Sequence, residues 1–519
     1  MKKLLAILFL FILTGCSFVS SEEKISLSIS EAGVTSIVET IPGITVDQLL
    51  RERNISINPL DKVTPPLTTT LSGGELILIT RVTEEFIVIE SVVPFEQQTI
   101  KNESLSEGNT VLIQSGVNGR KQSTYRVLYE DGLEVSRTLA KEEITQPAKP
   151  EILMIGVQSP FTAEEIEGTI AYISSSNAWV MNINTGNRKV VDSSGDLDGR
   201  VFSLSFDRKW LLYSRSADET ENEQINSLWL LDITSEELTP IDTGVRNVVH
   251  YADWVPGENR TFAYSTVEPR ATAPGWQANN DLHLYGFDVD GQKVEETILV
   301  ESNSGGIYGW WGTSFQYSPD GRLLAYARPD SIGLVDIKTG EMESLLDFAP
   351  YQPKTDWAWV PGINWSLDGE ALYTVQESKS SIGTNTDNYN LVAILMDSKQ
   401  VLPLVERCGL FCYPVPSNND PTGKFLVGYL TSILPDQSET SRYNLYVMDR
   451  DGSNRKKLYP GEGQQGLDPQ TIGWAPFSES SAFQRMVFIS QGNILFADLP
   501  IGTIKQITGD GSVSKVIWR

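Results

Sequence analysis

Histidine and cysteine are the scarcest reactive residues in this 519-residue chain, with two and three copies. Two isolated histidines, His250 and His283, make no His-Glu-x-x-His zinc motif. A Gly-x-Ser-x-Gly nucleophile elbow and a glycine-rich phosphate loop are also missing. The sequence therefore carries no catalytic constellation, no metal site and no cofactor site. Positive charge is short too: 41 Lys and Arg against 67 Asp and Glu leave a net charge of −26. Such a surface repels phosphate backbones and anionic headgroups, which disfavours nucleic acid as a partner. Long apolar runs are lacking as well. The one sustained stretch, Leu4 to Leu13, is about half the roughly 20 residues a bilayer span needs.

That stretch follows Lys2 and Lys3 and ends in Leu13-Thr14-Gly15-Cys16, the order of a secretory leader. The ending resembles a bacterial lipoprotein signal. The resemblance implies cleavage after residue 15, lipid on Cys16, a tether over residues 16–24 and a body held at the membrane outside the cytoplasm. Two or more acyl chains anchor stably where one does not. An ordinary signal peptide or a single-helix anchor is the alternative. Cys408 and Cys412 then remain as one pair in an oxidising compartment, where a disulfide would close a small loop. Their spacing is not the Cys-x-x-Cys of redox motifs.

Residues 25–81 read as a small α+β unit. Ile25, Leu27 and Ile29 alternate with serines, Glu31-Ala32-Gly33 turns the chain, and Val34 to Thr40 returns as a hairpin. Thr45 and Gln48 form a capping box opening a helix with Val46, Leu49 and Leu50 on one face. Strands are expected around Ile55–Ile57 and Glu75–Thr80. The segments Thr45-Val46-Asp47-Gln48-Leu49-Leu50, Asp61-Lys62-Val63-Thr64-Pro65 and Ile77-Leu78-Ile79-Thr80-Arg81 resemble the ubiquitin-like repeat of bacterial wall-associated proteins, a β-grasp.

Residues 82–157 are β-rich segments punctuated by Gly108, Gly116, Gly119, Gly132 and Gly156, positions expected to take positive φ at turns. Thr124-Tyr125-Arg126-Val127-Leu128-Tyr129-Glu130-Asp131-Gly132 with Val135-Ser136-Arg137 resembles the G5 domain. That resemblance implies an elongated module that binds wall sugars or serves as a spacer, with no catalytic residues.

From residue 158 to 519 one pattern recurs every 40–55 residues, the period of propeller blades. Its clearest copy is Phe315-Gln316-Tyr317-Ser318-Pro319-Asp320-Gly321-Arg322-Leu323-Leu324-Ala325-Tyr326, followed by Ile332 to Ile337 and a Lys338-Thr339-Gly340 turn. These phrases resemble the TolB-like or WD40-like repeat. Seven blades are expected, six being the alternative, with Val516-Ile517-Trp518-Arg519 completing the first blade and leaving no open edge. The chain is thus expected to be mainly β: a β-grasp unit, a G5-like module and a propeller.

In such a ring the first-to-second and third-to-fourth strand turns share one face, and here they are short. The other face carries long loops, including Val267–Asn280, Gly305–Gly312, Ala349–Gly362 and Cys408–Asn419. Long loops on a rigid scaffold are where binding usually sits. Trp276, Tyr308, Trp310, Trp311, Trp357 and Trp359 fall on them and would stack on sugar rings or anchor a protein, with Cys408–Cys412 bracing the rim. Packing between blades is the competing role for these rings. The Asp449-x-Asp451-Gly452-Ser453-Asn454 segment reads as a hairpin turn, since the acidic residue that would complete a calcium loop is missing. The reading is a monomeric, non-enzymatic, lipid-anchored envelope protein that binds wall glycan or an envelope protein. A propeller lyase or glycosidase, working through carboxylates such as Asp253, Asp356 and Asp420, is the reading from another class. A pure assembly scaffold is a third.

Overall fold

The structure is a computed structural model describing residues 23–519, except 103–107, 157–160, 218–223, 352, 354, 379–387, 419–422 and 477–483. Cys16 and Asp420 lie outside the described residues. The chain divides into two compact units, residues 1–98 with 112–152, and residues 99–111 with 153–519.

The first unit opens with a four-stranded sheet in the order Val34–Thr40, Ile25–Glu31, Leu76–Thr80, Lys62–Thr64. Its first and fourth strands by position in the chain, Ile25–Glu31 and Leu76–Thr80, run parallel. The helix Val46–Glu52 is capped as expected: the Gln48 amide donates to Thr45 Oγ1 at 3.3 Å, and the Thr45 amide donates to Gln48 Oε1 at 2.9 Å. Val46, Leu49 and Leu50 bury against Leu27, Ile29, Ile77 and Ile79. Residues Ile55–Ile57, expected as a strand, carry no strand pairing; Lys62–Thr64 takes that edge instead.

At the junction with the next module, the buried Asp61 carboxylate accepts from the amides of Asn58 and Val82 and from the Arg81 guanidinium at 2.6 Å. Arg81 also bonds Glu31 and the Ser56 carbonyl, and its own amide donates to Asp131. One side chain thus stitches three segments together. Burial alone would raise the Asp61 pKa, but these donors outweigh it and hold the carboxyl below its usual range.

The next sheet is antiparallel, with three long strands, Val82–Val93, Gly119–Glu130 and Leu133–Gln146. Most of its side chains stay exposed, among them Phe86, Val88, Val92, Leu139 and Ile144. The backbone ladder and cross-strand ion pairs such as Arg126–Glu84 and Lys121–Glu142 hold it, in place of a core. A second sheet runs Gln97–Asn102, Glu151–Gly156, Thr110–Gln114. The five glycines split by cause. Gly108 and Gly132 take positive φ, as expected. Gly116 and Gly119 do not; a Cβ on Gly116 would strike the Phe95 ring at 2.3 Å and one on Gly119 the Gln146 carbonyl at 2.5 Å. Gly156 ends a strand, its amide bonded to the Asn109 carbonyl. Close packing, not turn geometry, sets the two middle ones.

The remainder is a seven-bladed propeller, each blade a four-stranded antiparallel sheet. Blade 1 combines Glu165–Ser174, Asn177–Asn184 and Arg188–Asp192 with the C-terminal strand Val513–Trp518, so the two ends of the ring share one sheet. Thr169 and Arg519 exchange backbone hydrogen bonds there. Blades 2 to 7 then follow in chain order, starting at Leu197, Ala252, Ser314, Asn364, Val415 and Gly473.

The repeated Ser-x-Asp phrase has a definite task. Ser205, Ser318 and Ser366 are fully buried, and each hydroxyl donates to the aspartate two residues on while accepting an amide at or just before the start of the next strand. The recurring inner-strand tryptophans clip blades together. Trp254, Trp365 and Trp474 donate their indole N–H to Ser203, Gln316 and Val415 carbonyls of the preceding blade, at 3.2, 3.0 and 2.8 Å. The apolar core is accordingly a series of clusters between neighbouring blades.

Candidate ligand-binding face

Strand order puts the blade connectors and the second-to-third strand loops on one face of the ring. The six expected rings separate there into two groups.

The first group sits on the blade 3 loop and on the connector from blade 3 to blade 4. The loop of blade 3 folds into a hairpin, Val267–Pro269 with Trp276–Ala278, whose Ala278 amide bonds the Trp310 carbonyl. The Trp276 indole donates to the Trp311 carbonyl at 3.2 Å, and the two rings lie 5.3 Å apart. Trp310 meets Trp311 edge-on at 5.9 Å, and Tyr308 meets Trp310 likewise at 6.4 Å. All four rings are half-buried, keeping part of each surface in water.

Their rigidity comes from the connector Gly305-Gly306-Ile307-Tyr308-Gly309-Trp310-Trp311-Gly312. Buried Asn280 donates to the Gly309 carbonyl at 2.9 Å and accepts from Thr313 at 2.7 Å. Asp330 accepts the Ile307 amide. Gly312 takes φ 144°, and a Cβ there would meet the His250 ring at 2.3 Å. Tyr308, not a glycine, is held at φ 59°. A non-glycine residue in that region costs on the order of 1 kcal/mol and persists only where its surroundings enforce it.

Beneath the rings sits His250, 5.4 Å from Trp311 and 5.8 Å from Trp276. Its Nε2 is enclosed without a hydrogen-bond partner among the described residues. Burial, then the nearby Arg200 charge, push its pKa down to about 4, so it is neutral at pH 7. Arg200 lies over the Trp276 ring at 5.0 Å.

The second group packs into or against the core. Trp359 is 2% exposed, with its indole donating to the Leu410 carbonyl and its ring between Phe348 and Tyr389. That corrects its expected place on the binding surface: the connector doubles back and its ring fills the gap between blades 5 and 6. Trp357 is half-buried against Phe411 and Tyr351. Cys408 and Cys412 are disulfide-bonded and fully buried in the same cluster. The bridge therefore braces the interior beneath the connector, and the expectation that it stiffens the exposed rim is corrected.

Of the carboxylates offered for an enzyme, two are described, Asp253 on the first strand of blade 3 and Asp356 on the connector between blades 4 and 5. Asp253 accepts from the Ser203 hydroxyl and the Trp254 amide and lies 3.5 Å from Arg519. Asp356 is exposed on a connector. Among the described residues no group of His, Cys, Asp and Glu could hold a metal ion. Asp449 and Asp451 bond Asn454 and Ser453 inside a blade 6 turn. No described helix is long and apolar enough to cross a membrane.

Sequence reasoning missed Arg200 and His250. Neither sits in a motif: Arg200 lies where the blade 2 register shifts, and His250 is a lone histidine on a connector. The run of glycines around Trp310 was the only signal that this loop is tightly held.

With this geometry in view, comparison with known proteins adds the module families. Residues 84–158 match the G5 domain. Residues 27–68 match the G5-linked ubiquitin-like domain. YabE of Bacillus subtilis, named for a proposed role in cell wall shaping, is 26% identical over 188 residues, covering 36% of this chain and 42% of YabE. The resuscitation-promoting factor Rpf2 of Corynebacterium glutamicum is 26% identical over 161 residues, covering 31% and 42%. The chain therefore spans under half the length of each. Among solved structures, the periplasmic gluconolactonase PpgL of Pseudomonas aeruginosa is 13% identical with a TM-score of 0.42, covering 68% of this chain and 98% of that one.

Proposed function

We propose that this is an extracytoplasmic cell-envelope protein, anchored by lipid at Cys16, that binds cell-wall glycan without catalysing a reaction. The G5 and ubiquitin-like matches and the resemblance to YabE support the envelope setting. The observation that carries the binding site is the group of half-exposed rings formed by Tyr308, Trp310 and Trp311 on one glycine-braced connector and Trp276 on the neighbouring blade 3 loop. Aromatic planes present a large apolar surface with little entropy to lose, which suits the C–H faces of pyranose rings. The G5 module would supply a second contact with the wall.

The test is retention of residues 17–519 on purified peptidoglycan, beside a Trp310→Ala/Trp311→Ala variant and the isolated 82–157 segment. Loss of retention in the double variant alone supports the propeller site. Retention by the isolated segment assigns wall binding to the G5 module. No retention by any of them overturns wall binding.

A further inference from the structure

Arg200 is the cation among these rings, on a chain whose net charge is −26. Its guanidinium stacks over Trp276 yet makes no side-chain hydrogen bond among the described residues, and its one ion pair, to Asp198, is long at 3.7 Å. Asp198 is meanwhile committed elsewhere: it accepts from the Ser214 hydroxyl, the Asn226 amide at 2.9 Å and the Arg200 backbone N–H at 2.9 Å. The backbone carrying Arg200 is pinned from below, since the Lys515 ammonium donates to the Gly199 and Arg200 carbonyls at 2.9 and 3.3 Å. The side chain is a third exposed, with its guanidinium over an indole and its donors unspent. A planar fork in that state recognises a carboxylate or phosphate, ideally with two parallel bonds.

Resting on the glycan reading above, we propose that Arg200 makes this face selective for an anionic glycan, reading the acidic group while Trp276 and its neighbours hold the sugar ring. The acidic surface sharpens the choice. Anions are repelled elsewhere, so an oriented cation over Trp276 decides where a charged saccharide rests. The carboxylate of a lactyl-ether sugar and the phosphate of a polyol-phosphate polymer share this chemistry.

The experiment is a set of titrations on residues 17–519 with probes of matched length: a neutral N-acetylglucosamine oligomer, a muramic-acid-containing glycan strand, the same strand with its carboxyls reduced, and a glycerol-phosphate oligomer. Wild type is expected to bind an anionic probe about tenfold or more tightly than the neutral ones. That preference should weaken with added salt, vanish in Arg200→Gln, and partly survive in Arg200→Lys. Whichever anionic probe shows it names the source. Equal binding of neutral and anionic probes overturns the role of Arg200 and leaves the glycan reading standing. Binding of no probe overturns both. Unchanged thermal melting of Arg200→Gln separates lost recognition from lost fold.

Discussion

At the scale of single residues, the two histidines answer pH in opposite senses. His250 is neutral when folded, with its pKa near 4, whereas the unfolded chain protonates near 6.5. Between those values the unfolded state holds more protons, so stability falls as pH falls through that window. Complete protonation would cost on the order of 3 kcal/mol. His283 behaves the other way. Its hydrogen bond to Asp281, then the Asp281 and Glu296 charges, raise its pKa against the opposing effect of burial. Its contribution is full below the unfolded value and is lost as pH rises through the raised one. Urea melts of His250→Gln and His283→Gln from pH 4.5 to 8 check both signs. The first variant should flatten the acid-side decline, and the second should lag wild type most at low pH. A second residue-scale prediction concerns Gly312. Alanine there meets both a disfavoured φ and the His250 ring, so Gly312→Ala should shift tryptophan fluorescence and weaken ligand binding.

At the scale of elements, much of the architecture was legible because each signal has a local cause. The Thr45–Gln48 box reports a helix start, and the Ser-x-Asp phrase reports a turn whose hydroxyl closes two hydrogen bonds. Ser318→Ala should cost about 1–2 kcal/mol in urea unfolding, by leaving the Leu323 amide without its acceptor. What was illegible depends on where a loop folds back. Trp310 and Trp359 look alike in the sequence, each a tryptophan on a long connector. Only the fold shows that Asn280 and the glycines hold the first out while the space between blades draws the second in. The disulfide was legible as a pair but not as a buried one. Breaking it by Cys408→Ser/Cys412→Ser should destabilise by about 2 kcal/mol on loop-entropy grounds, readable as a lower melting temperature.

For the whole molecule, closure is the governing feature. Blade 1 takes its innermost strand from residues 513–518 and the remaining three from the start of the ring. Trp518 stacks on Phe496 of blade 7 at 4.9 Å, so the same strand also fastens blade 7 to blade 1. Deleting Val513 to Arg519 should remove both ties and lower the urea midpoint of the propeller far more than deleting an equal length of surface loop. An unchanged midpoint would show that the ring holds without its closing strand.

The same arrangement sets an order of assembly. The β-grasp sheet draws all its strands from residues 25–80 and can form before any blade exists. The ring has to wait, because its closing strand, residues 513–518, follows every other blade strand in the chain. Until then blade 1 presents an unpaired inner edge and blade 7 an uncovered flank. This makes the interval before closure the propeller's most vulnerable moment, and a proteolytic clip within residues 513–519 would reopen it.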